Sequence, residues 1–224
     1  MLKRLLDALG NKKTLLDEAM QDSVMMLVSA RRMYDLVMVA IKDDAGDHVR
    51  SKISTMDKDV NQQQREVRRK VFEHLSMSRG QDILQGLELV TSVIDIERIG
   101  DYTKNISELI EMMPGELQFG EFEATYQKAQ ALANEVFDLG VDAFARNNLE
   151  AAKACMERYQ QLGLLCDRSL EKLIGASDGA DTVPRSNVAL VLLLRYLKRV
   201  GAHLKNIASA KVNPFHRIGY RSPN

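Results

Sequence analysis

The sequence predicts an all-α protein made of two tandem three-helix bundles, spectrin-repeat-like in character and related by an internal pseudo-twofold repeat. The chain has no Trp, 5% aromatic residues, 11 Met and 4 Pro, a composition that suits helices better than sheets. Long amphipathic segments are separated by only a few helix breakers. A motif in the third of these segments recurs in the sixth.

Three long helices are predicted in the first half, after a short opening helix in MLKRLLDAL. The first long helix carries an apolar stripe at helical spacing: Leu16, Met20, Val24 and Leu27. The polar segment DDAGDH ends it, the Ser76–Gly80 cluster ends the second helix, and the pair Pro114 and Gly115 ends the third. The predicted bounds are about Lys13–Lys42, Asp47–Leu75 and Gln81–Met113.

Three further helices are predicted in the second half. Only Asn147 and Asn148 divide the first two of them, whereas Ser177–Pro184 forms a clear loop before the third. Pro214 ends the last helix because proline cannot continue the helical hydrogen bonding. The predicted bounds are about Phe122–Arg146, Leu149–Ile174 and Arg185–Lys211. All six helices exceed the average globular helix of roughly 10–14 residues, which is typical of antiparallel bundles.

An internal repeat relates the two halves. The segment IERIGDYTKNIS at Ile96–Ser107 aligns with LKRVGAHLKNIA at Leu197–Ala208, with identical Arg, Gly, Lys and Asn positions. At nearly the same offset, the segment around Asp57 aligns with the one around Glu157. We therefore predict a first repeat over residues 1–113, a second over residues 118–212, and a C-terminal tail over residues 213–224.

Charge and composition exclude several classes of protein. The 31 basic and 31 acidic residues balance, so no cationic field would recruit nucleic acid. Cys155 and Cys166 on one helix would lie about 16 Å apart, too far for a disulfide. There is no secretory leader, and no apolar run approaches the ~20 residues of a membrane helix. A soluble, reduced, cytoplasmic protein is expected.

The repeated motif contains an acidic pair at helical spacing. Glu97 and Asp101 are neighbours on one helix face and repel each other unless a positive group lies nearby. Either Arg98 or a bound cation could supply that charge. Gly100 indicates close approach of another helix, where Asp57 and Asn61 share the same spacing and could contribute further oxygens. Such ligands suit Mg²⁺, Ca²⁺, Mn²⁺ or iron better than Zn²⁺.

The stretch DIERIGDYTKNI resembles the signature of the PhoU family, in which an acidic motif recurs in each three-helix half. MDKDVNQQQREV at Met56–Val67 resembles the companion motif of the family, and the likeness extends over about Thr14–Val212. The resemblance implies a metal site at Asp57, Asn61, Glu97 and Asp101. It favours iron or manganese, within a metal class that also includes magnesium and zinc.

The resemblance also implies a function and partners. It predicts a cytoplasmic, homodimeric regulator of phosphate uptake and signalling that acts by metal-dependent protein–protein interaction. The partners implied are a phosphate ABC transporter ATPase and a sensor histidine kinase, or a phosphate permease. Association with the membrane would then be peripheral and only through these partners.

The second repeat departs from the family pattern. Lys198 stands at the position of Glu97, Ala202 at that of Asp101, and the companion pair is Glu157 and Gln161. A lysine repels cations, so an ion pair between Lys198 and Glu157 is expected and only the first half is predicted to bind metal.

Two other functions stay open at the level of sequence. One is a metal-binding storage or scaffold bundle without signalling partners, and the other is a purely structural helical protein. An enzyme is not predicted, because the sequence has no glycine-rich phosphate loop and no nucleophile-and-base arrangement.

Overall fold

The computed structural model describes residues 13–42, 46–113, 115, 117–175 and 183–220. These residues form six α-helices and two short 3₁₀ turns, with no strand among them. The helix predicted in MLKRLLDAL lies outside the described residues. The prediction of an all-α protein is confirmed, and the helices begin and end within two residues of their predicted bounds. The helices are α1 (Leu15–Ala40), α2 (Gly46–Met77), α3 (Ile83–Met112), α4 (Glu123–Arg146), α5 (Leu149–Gly175) and α6 (Arg185–Ser209).

Local capping explains where two of the helices begin. Thr14 caps α1 by accepting a hydrogen bond from the Asp17 backbone N–H at 3.1 Å, and the Asp17 carboxylate accepts one from the Thr14 backbone N–H at 2.9 Å. Asn147 ends α4 in the left-handed conformation, at a φ of 53°. The Asn148 side chain then accepts hydrogen bonds from the first N–H groups of α5. The break predicted at the two asparagines therefore has a physical cause.

The six helices pack as two three-helix units. Helices α1, α2 and α3 pack on one another, as do α4, α5 and α6. The units meet mainly where α3 packs against α6, with a smaller contact between α1 and α4. Both of these central helices carry fully buried aliphatic residues, among them Ile96 and Ile99 on α3 and Leu197 and Val200 on α6. The predicted repeated bundle is thus the observed architecture.

Both cysteines are buried core residues. Cys155 and Cys166 are fully buried free thiols on α5. Burial raises the pKa of both thiols to about 12, because the thiolate is poorly solvated in the apolar interior. None of the helices in the described part of the chain combines the length and apolar character needed to cross a bilayer.

The repeated glycines are expected to respond differently to substitution. A Cβ at Gly201 would lie 2.8 Å from Leu162 Cδ2 and 3.2 Å from the Tyr159 ring, whereas a Cβ at Gly100 would meet nothing closer than 3.7 Å. Gly201→Ala is therefore expected to cost about 1–3 kcal/mol of unfolding free energy through overpacking. Gly100→Ala is expected to be neutral, or stabilising by up to about 1 kcal/mol through helix propensity. Urea denaturation of both variants tests the contrast, and equal costs would contradict it.

Candidate metal centre and its second-half counterpart

The predicted acidic residues lie on the facing surfaces of α2 and α3. Asp57 is buried, at 5% exposure, and its Oδ1 atom lies beside Gly100, where a Cβ added to the glycine would be 3.9 Å away. Glu97 and Asp101 lie on α3 at the edge of this contact, with side chains 17% and 34% exposed. Asn61 is half-buried on α2. The two helices are in contact at Gly100, but the expected close approach is absent there, since an added Cβ would meet no atom nearer than 3.7 Å.

Protein cations balance these carboxylates only in part. Arg98 contacts Asp101 at 2.7 Å and Glu97 at 3.5 Å. Lys104 Nζ lies 3.4 Å from Asp57 Oδ2, and the Asn61 amide lies 3.5 Å from the same oxygen, both long for hydrogen bonds. Asp57 Oδ1 is buried and accepts no hydrogen bond from the described residues. A buried carboxylate with one unpaired oxygen and one weakly bonded oxygen is unusual, because buried charges are normally paired.

The donor set suits a hard cation, but it is not closed. Two helices present three carboxylates and one amide, which is the chemistry preferred by oxygen-binding metals. Over the part of the chain that the structure describes, no three acidic, histidine or cysteine side chains are gathered tightly enough to hold an ion. Arg98 draws Glu97 and Asp101 toward itself, so closure around an ion requires side-chain rotation by these two residues.

Glu97 lies in an environment that disfavours the charged form of its carboxyl. Burial raises the pKa of its carboxyl, the nearby charges of Asp101 and Asp57 raise it further, and Arg98 opposes the shift. The folded chain therefore holds this proton more tightly than the unfolded chain does. It follows that Glu97 lowers stability as the pH rises from the ordinary value of 4.5 through the raised pKa.

We expect Glu97→Gln to be at least as stable as the wild type at neutral pH in the presence of a chelator. This advantage should diminish as the pH falls toward 4.5 and vanish well below it, where the wild-type carboxyl is protonated in both the folded and the unfolded state. Urea midpoints of both proteins, measured on either side of this interval, check the sign. A metal-free variant that is less stable than the wild type at neutral pH would contradict the unfavourable environment of the Glu97 carboxylate.

The packing of the second half shows which of its residues correspond to Asp57 and Asn61, and they are not the predicted ones. Gly100 faces Asp57 and Val60, whereas Gly201 faces Tyr159 and Leu162. The buried residues of the two helices match in the same register: Ile53, Val60 and Val71 on α2 with Cys155, Leu162 and Leu173 on α5.

The counterparts of Asp57 and Asn61 are therefore Tyr159 and Gly163, and the alignment with Glu157 and Gln161 was wrong by two residues. Both of those side chains are solvent-exposed.

The predicted ion pair of Lys198 is also wrong. Its Nζ contacts Asp167 Oδ1 at 2.5 Å, about three helical turns beyond the expected partner Glu157. Lys198 and the half-buried Ala202 do lie at the α6 positions that match Glu97 and Asp101. With tyrosine, glycine, lysine and alanine at the four matching positions, the second half has no carboxylate where the first half has three.

A polar cluster between the two halves was not predicted. Asp95 on α3, 9% exposed, accepts hydrogen bonds from His203 Nδ1 at 2.7 Å and from the Asn206 amide at 3.0 Å, both on α6. The His203 ring also stacks on Tyr102, with ring centroids 5.7 Å apart. The sequence offered one signal, a buried-face Asp directly before the acidic motif. Its partners could be found only from the crossing of α3 and α6.

These features define a class: a helical bundle protein of two repeats, with an acidic centre in the first repeat and a polar link between the repeats. The PhoU domain model matches residues 24–110 and 127–210, one match in each half. The chain belongs to the PhoU family. The repeat boundaries at residues 113 and 118 stay a prediction.

Individual relatives agree with this assignment. The chain is 20% identical over 188 residues to a phosphate-specific transport system accessory protein PhoU homolog from Clostridium acetobutylicum, covering 83% of this chain and 84% of the relative. It is 23% identical over 184 residues to a protein of the same description from Pseudomonas putida, covering 80% of this chain and 70% of the relative.

Two solved structures share the fold. The crystal structure of PhoU from Pseudomonas aeruginosa superposes with a TM-score of 0.79 at 20% identity, covering 88% of this chain and 95% of the other. The phosphate transport system regulatory protein PhoU from Streptococcus pneumoniae gives a TM-score of 0.76 at 17% identity, with 88% and 93% covered.

Proposed function

We propose that this chain is a cytoplasmic accessory protein of phosphate transport that regulates uptake or phosphate signalling through metal-dependent contacts with other proteins. Family membership supports the transport role, since both curated relatives carry that description. The family is one of accessory proteins rather than a known enzyme family. The partners proposed are a phosphate ABC transporter ATPase and a sensor histidine kinase, or a phosphate permease.

The observation that carries the metal dependence is the unpaired, buried oxygen of Asp57. Asp57, Glu97 and Asp101 would hold the ion, with the Asn61 amide as a neutral fourth donor. When bound, a divalent or ferric ion supplies positive charge between α2 and α3 and so removes the repulsion among the carboxylates. Hard oxygen ligands suit magnesium, calcium, manganese and iron alike. Among these ions, iron or manganese is favoured by the resemblance of the motif to the PhoU signature.

Residues of the chain itself set how tightly the site binds. Arg98 and Lys104 occupy the carboxylates in the metal-free protein and therefore compete with an ion. Asn61 contributes no charge, which weakens binding relative to a site with a fourth carboxylate. Both features lower the affinity of the proposed site for a metal ion.

An exposed apolar stripe on α3 offers a surface for protein partners, including a second copy of the chain. Leu84, Leu87 and Ile94 are 59%, 41% and 41% exposed and lie at helical spacing on one face. The acidic motif lies on the same helix, on the C-terminal side of this stripe. Rigid packing of α3 would therefore affect both the motif and the stripe. Homodimer formation and peripheral association with the membrane through partners are part of this proposal.

The test is binding of the full chain to the transporter ATPase and the sensor kinase of its own organism, with Mn²⁺ or with a chelator. We expect binding with Mn²⁺ that weakens in the chelator and in Glu97→Gln/Asp101→Asn. Equal binding under all three conditions would overturn the metal dependence. Metal loading without binding to any transport or kinase partner would instead identify a storage or scaffold bundle.

A further inference from the structure

A basic cleft lies in the second half, at the place that corresponds to the acidic centre of the first half. It has a volume of about 280 Å³ and lies between α5 and α6, where backbone of the C-terminal segment closes one side. Its polar lining comprises Lys198 and Lys205 on α6, Tyr159, Gln160 and Asp167 on α5, and the backbone of Gly219. This volume is just below the range of roughly 300–1,000 Å³ that is typical of small-molecule sites, so the ligand must be small.

The acidic centre of the first repeat and the cleft at the matching place in the second repeat carry opposite charges. Lys198 replaces Glu97, and the phenol-bearing Tyr159 replaces Asp57, as the packing around the two glycines shows. Lys205 is the counterpart of Lys104, which has the Asp57 carboxylate as its partner in the first half. The two lysines and one aspartate that line the cleft leave it with an excess of positive charge.

Among the described residues that line the cleft, none offers Lys205 a carboxylate partner. Its ammonium donates to the Gly219 carbonyl and lies 5.7 Å from the centre of the Tyr159 ring. Burial lowers the pKa of Lys205, because the ammonium is poorly solvated there, and the nearby charge of Asp95 opposes this shift. Asp95 itself already accepts hydrogen bonds from His203 and Asn206. An anion in the cleft would supply the negatively charged partner that Lys205 lacks.

Lys198 is held at the mouth of the cleft by a replaceable partner. It pairs with Asp167, whose side chain is 53% exposed and can turn into solvent. An ion pair at such an exposed position contributes little to stability. Lys198 can therefore exchange the aspartate for an anionic ligand at little cost.

We propose that the cleft between α5 and α6 binds a small phosphate-class dianion through Lys198 and Lys205. Lysine ammonium groups bind phosphate as point charges. Tyr159 lines the same cleft, and its side chain carries a hydroxyl that can donate a further hydrogen bond. Inorganic phosphate and a small phosphate monoester share this chemistry. The site lies outside the acidic centre and does not depend on metal binding there.

Isothermal titration calorimetry of the full chain in chelator tests the proposal, with inorganic phosphate and phosphoserine as separate ligands. We expect saturable binding of at least one ligand. The ligand that binds more tightly shows whether the cleft prefers inorganic phosphate or a phosphate monoester. Loss of one charged hydrogen bond should weaken binding about tenfold or more in Lys205→Met and in Lys198→Met. Lys153→Met, at an exposed position on the same helix pair, is the matched control and should bind as the wild type does.

Two further variants separate this site from the acidic centre and test the role of the Asp167 ion pair. Asp167→Asn should tighten binding, because it removes the competing negative charge and frees Lys198. Glu97→Gln/Asp101→Asn should leave anion binding unchanged, so failure of the metal proposal and failure of this one are distinguishable. No saturable binding of either ligand to the wild type, or unchanged affinity in both Lys198→Met and Lys205→Met, would overturn the proposal.

Discussion

Phe137→Ala is expected to lower the free energy of unfolding by about 3–5 kcal/mol, the largest effect of any single substitution proposed for this chain. Phe137 on α4 is fully buried, and its ring lies 5.2 Å from the ring of Tyr34 on α1. The Arg31 guanidinium also lies over it, 5.1 Å from the ring centre. Truncation would remove aromatic and cation–π contacts and leave a cavity where the two halves meet.

Urea denaturation monitored by far-UV circular dichroism measures this cost. Phe72→Ala is the matched control, because Phe72 is 72% exposed on α2 and should change stability by less than about 0.5 kcal/mol. If Phe137→Ala cost no more than Phe72→Ala, the contact between α1 and α4 would not contribute to the stability of the fold.

Asp95→Ala is expected to cost about 2–4 kcal/mol, the second-largest effect. The substitution leaves the half-buried His203 imidazole and the Asn206 amide without their shared acceptor, so each loses hydrogen bonding that water only partly replaces. Because the partners lie on α6, the loss weakens the link between the repeats. A double-mutant cycle with His203→Ala should give a coupling energy of about 0.5–3 kcal/mol.

Asp59→Ala is the control for Asp95→Ala, because Asp59 is an exposed aspartate on α2. Its substitution should change the unfolding free energy by less than about 0.5 kcal/mol. Equal stability of Asp95→Ala and the wild type would show that the cluster between α3 and α6 contributes nothing to holding the repeats together.

The helices and the repeat were predictable because both rest on local pattern. Apolar residues at a period of 3.6 indicate the buried face of a helix without reference to any other element. On α1, Leu16 and Leu27 of the predicted stripe are buried, whereas Met20 and Val24 are half-buried at its edge. The asparagines between α4 and α5 break the pattern where one residue adopts the left-handed conformation. Because Gly100 and Gly201 recur at matching positions of the motif, they also gave the correct sequence alignment of α3 in the first repeat with α6 in the second.

The alignment of α2 with α5 was less secure, because no glycine recurs at matching positions of these two helices: Gly163 on α5 corresponds to Asn61 on α2. Matching Asp57 to Glu157 put like residues together, but packing against Gly201 puts Tyr159 there instead. Gly100 and Gly201 are 101 residues apart, whereas Asp57 and Tyr159 are 102 apart, so the offset of one helix pair did not fix the offset of the other. Side-chain pairs between helices, such as Lys198 with Asp167, depend on the crossing geometry and could not be read from spacing.

The central claim, a metal ion held by Asp57, Glu97 and Asp101, is tested most directly by elemental mass spectrometry of the purified protein. The wild type and Glu97→Gln/Asp101→Asn should be compared after exposure to Fe²⁺ or Mn²⁺ and removal of the free ion. We expect about one bound metal ion per chain in the wild type. The variant should remain folded but lose this metal. A wild type without metal after loading, or equal metal in both proteins, would contradict the claim.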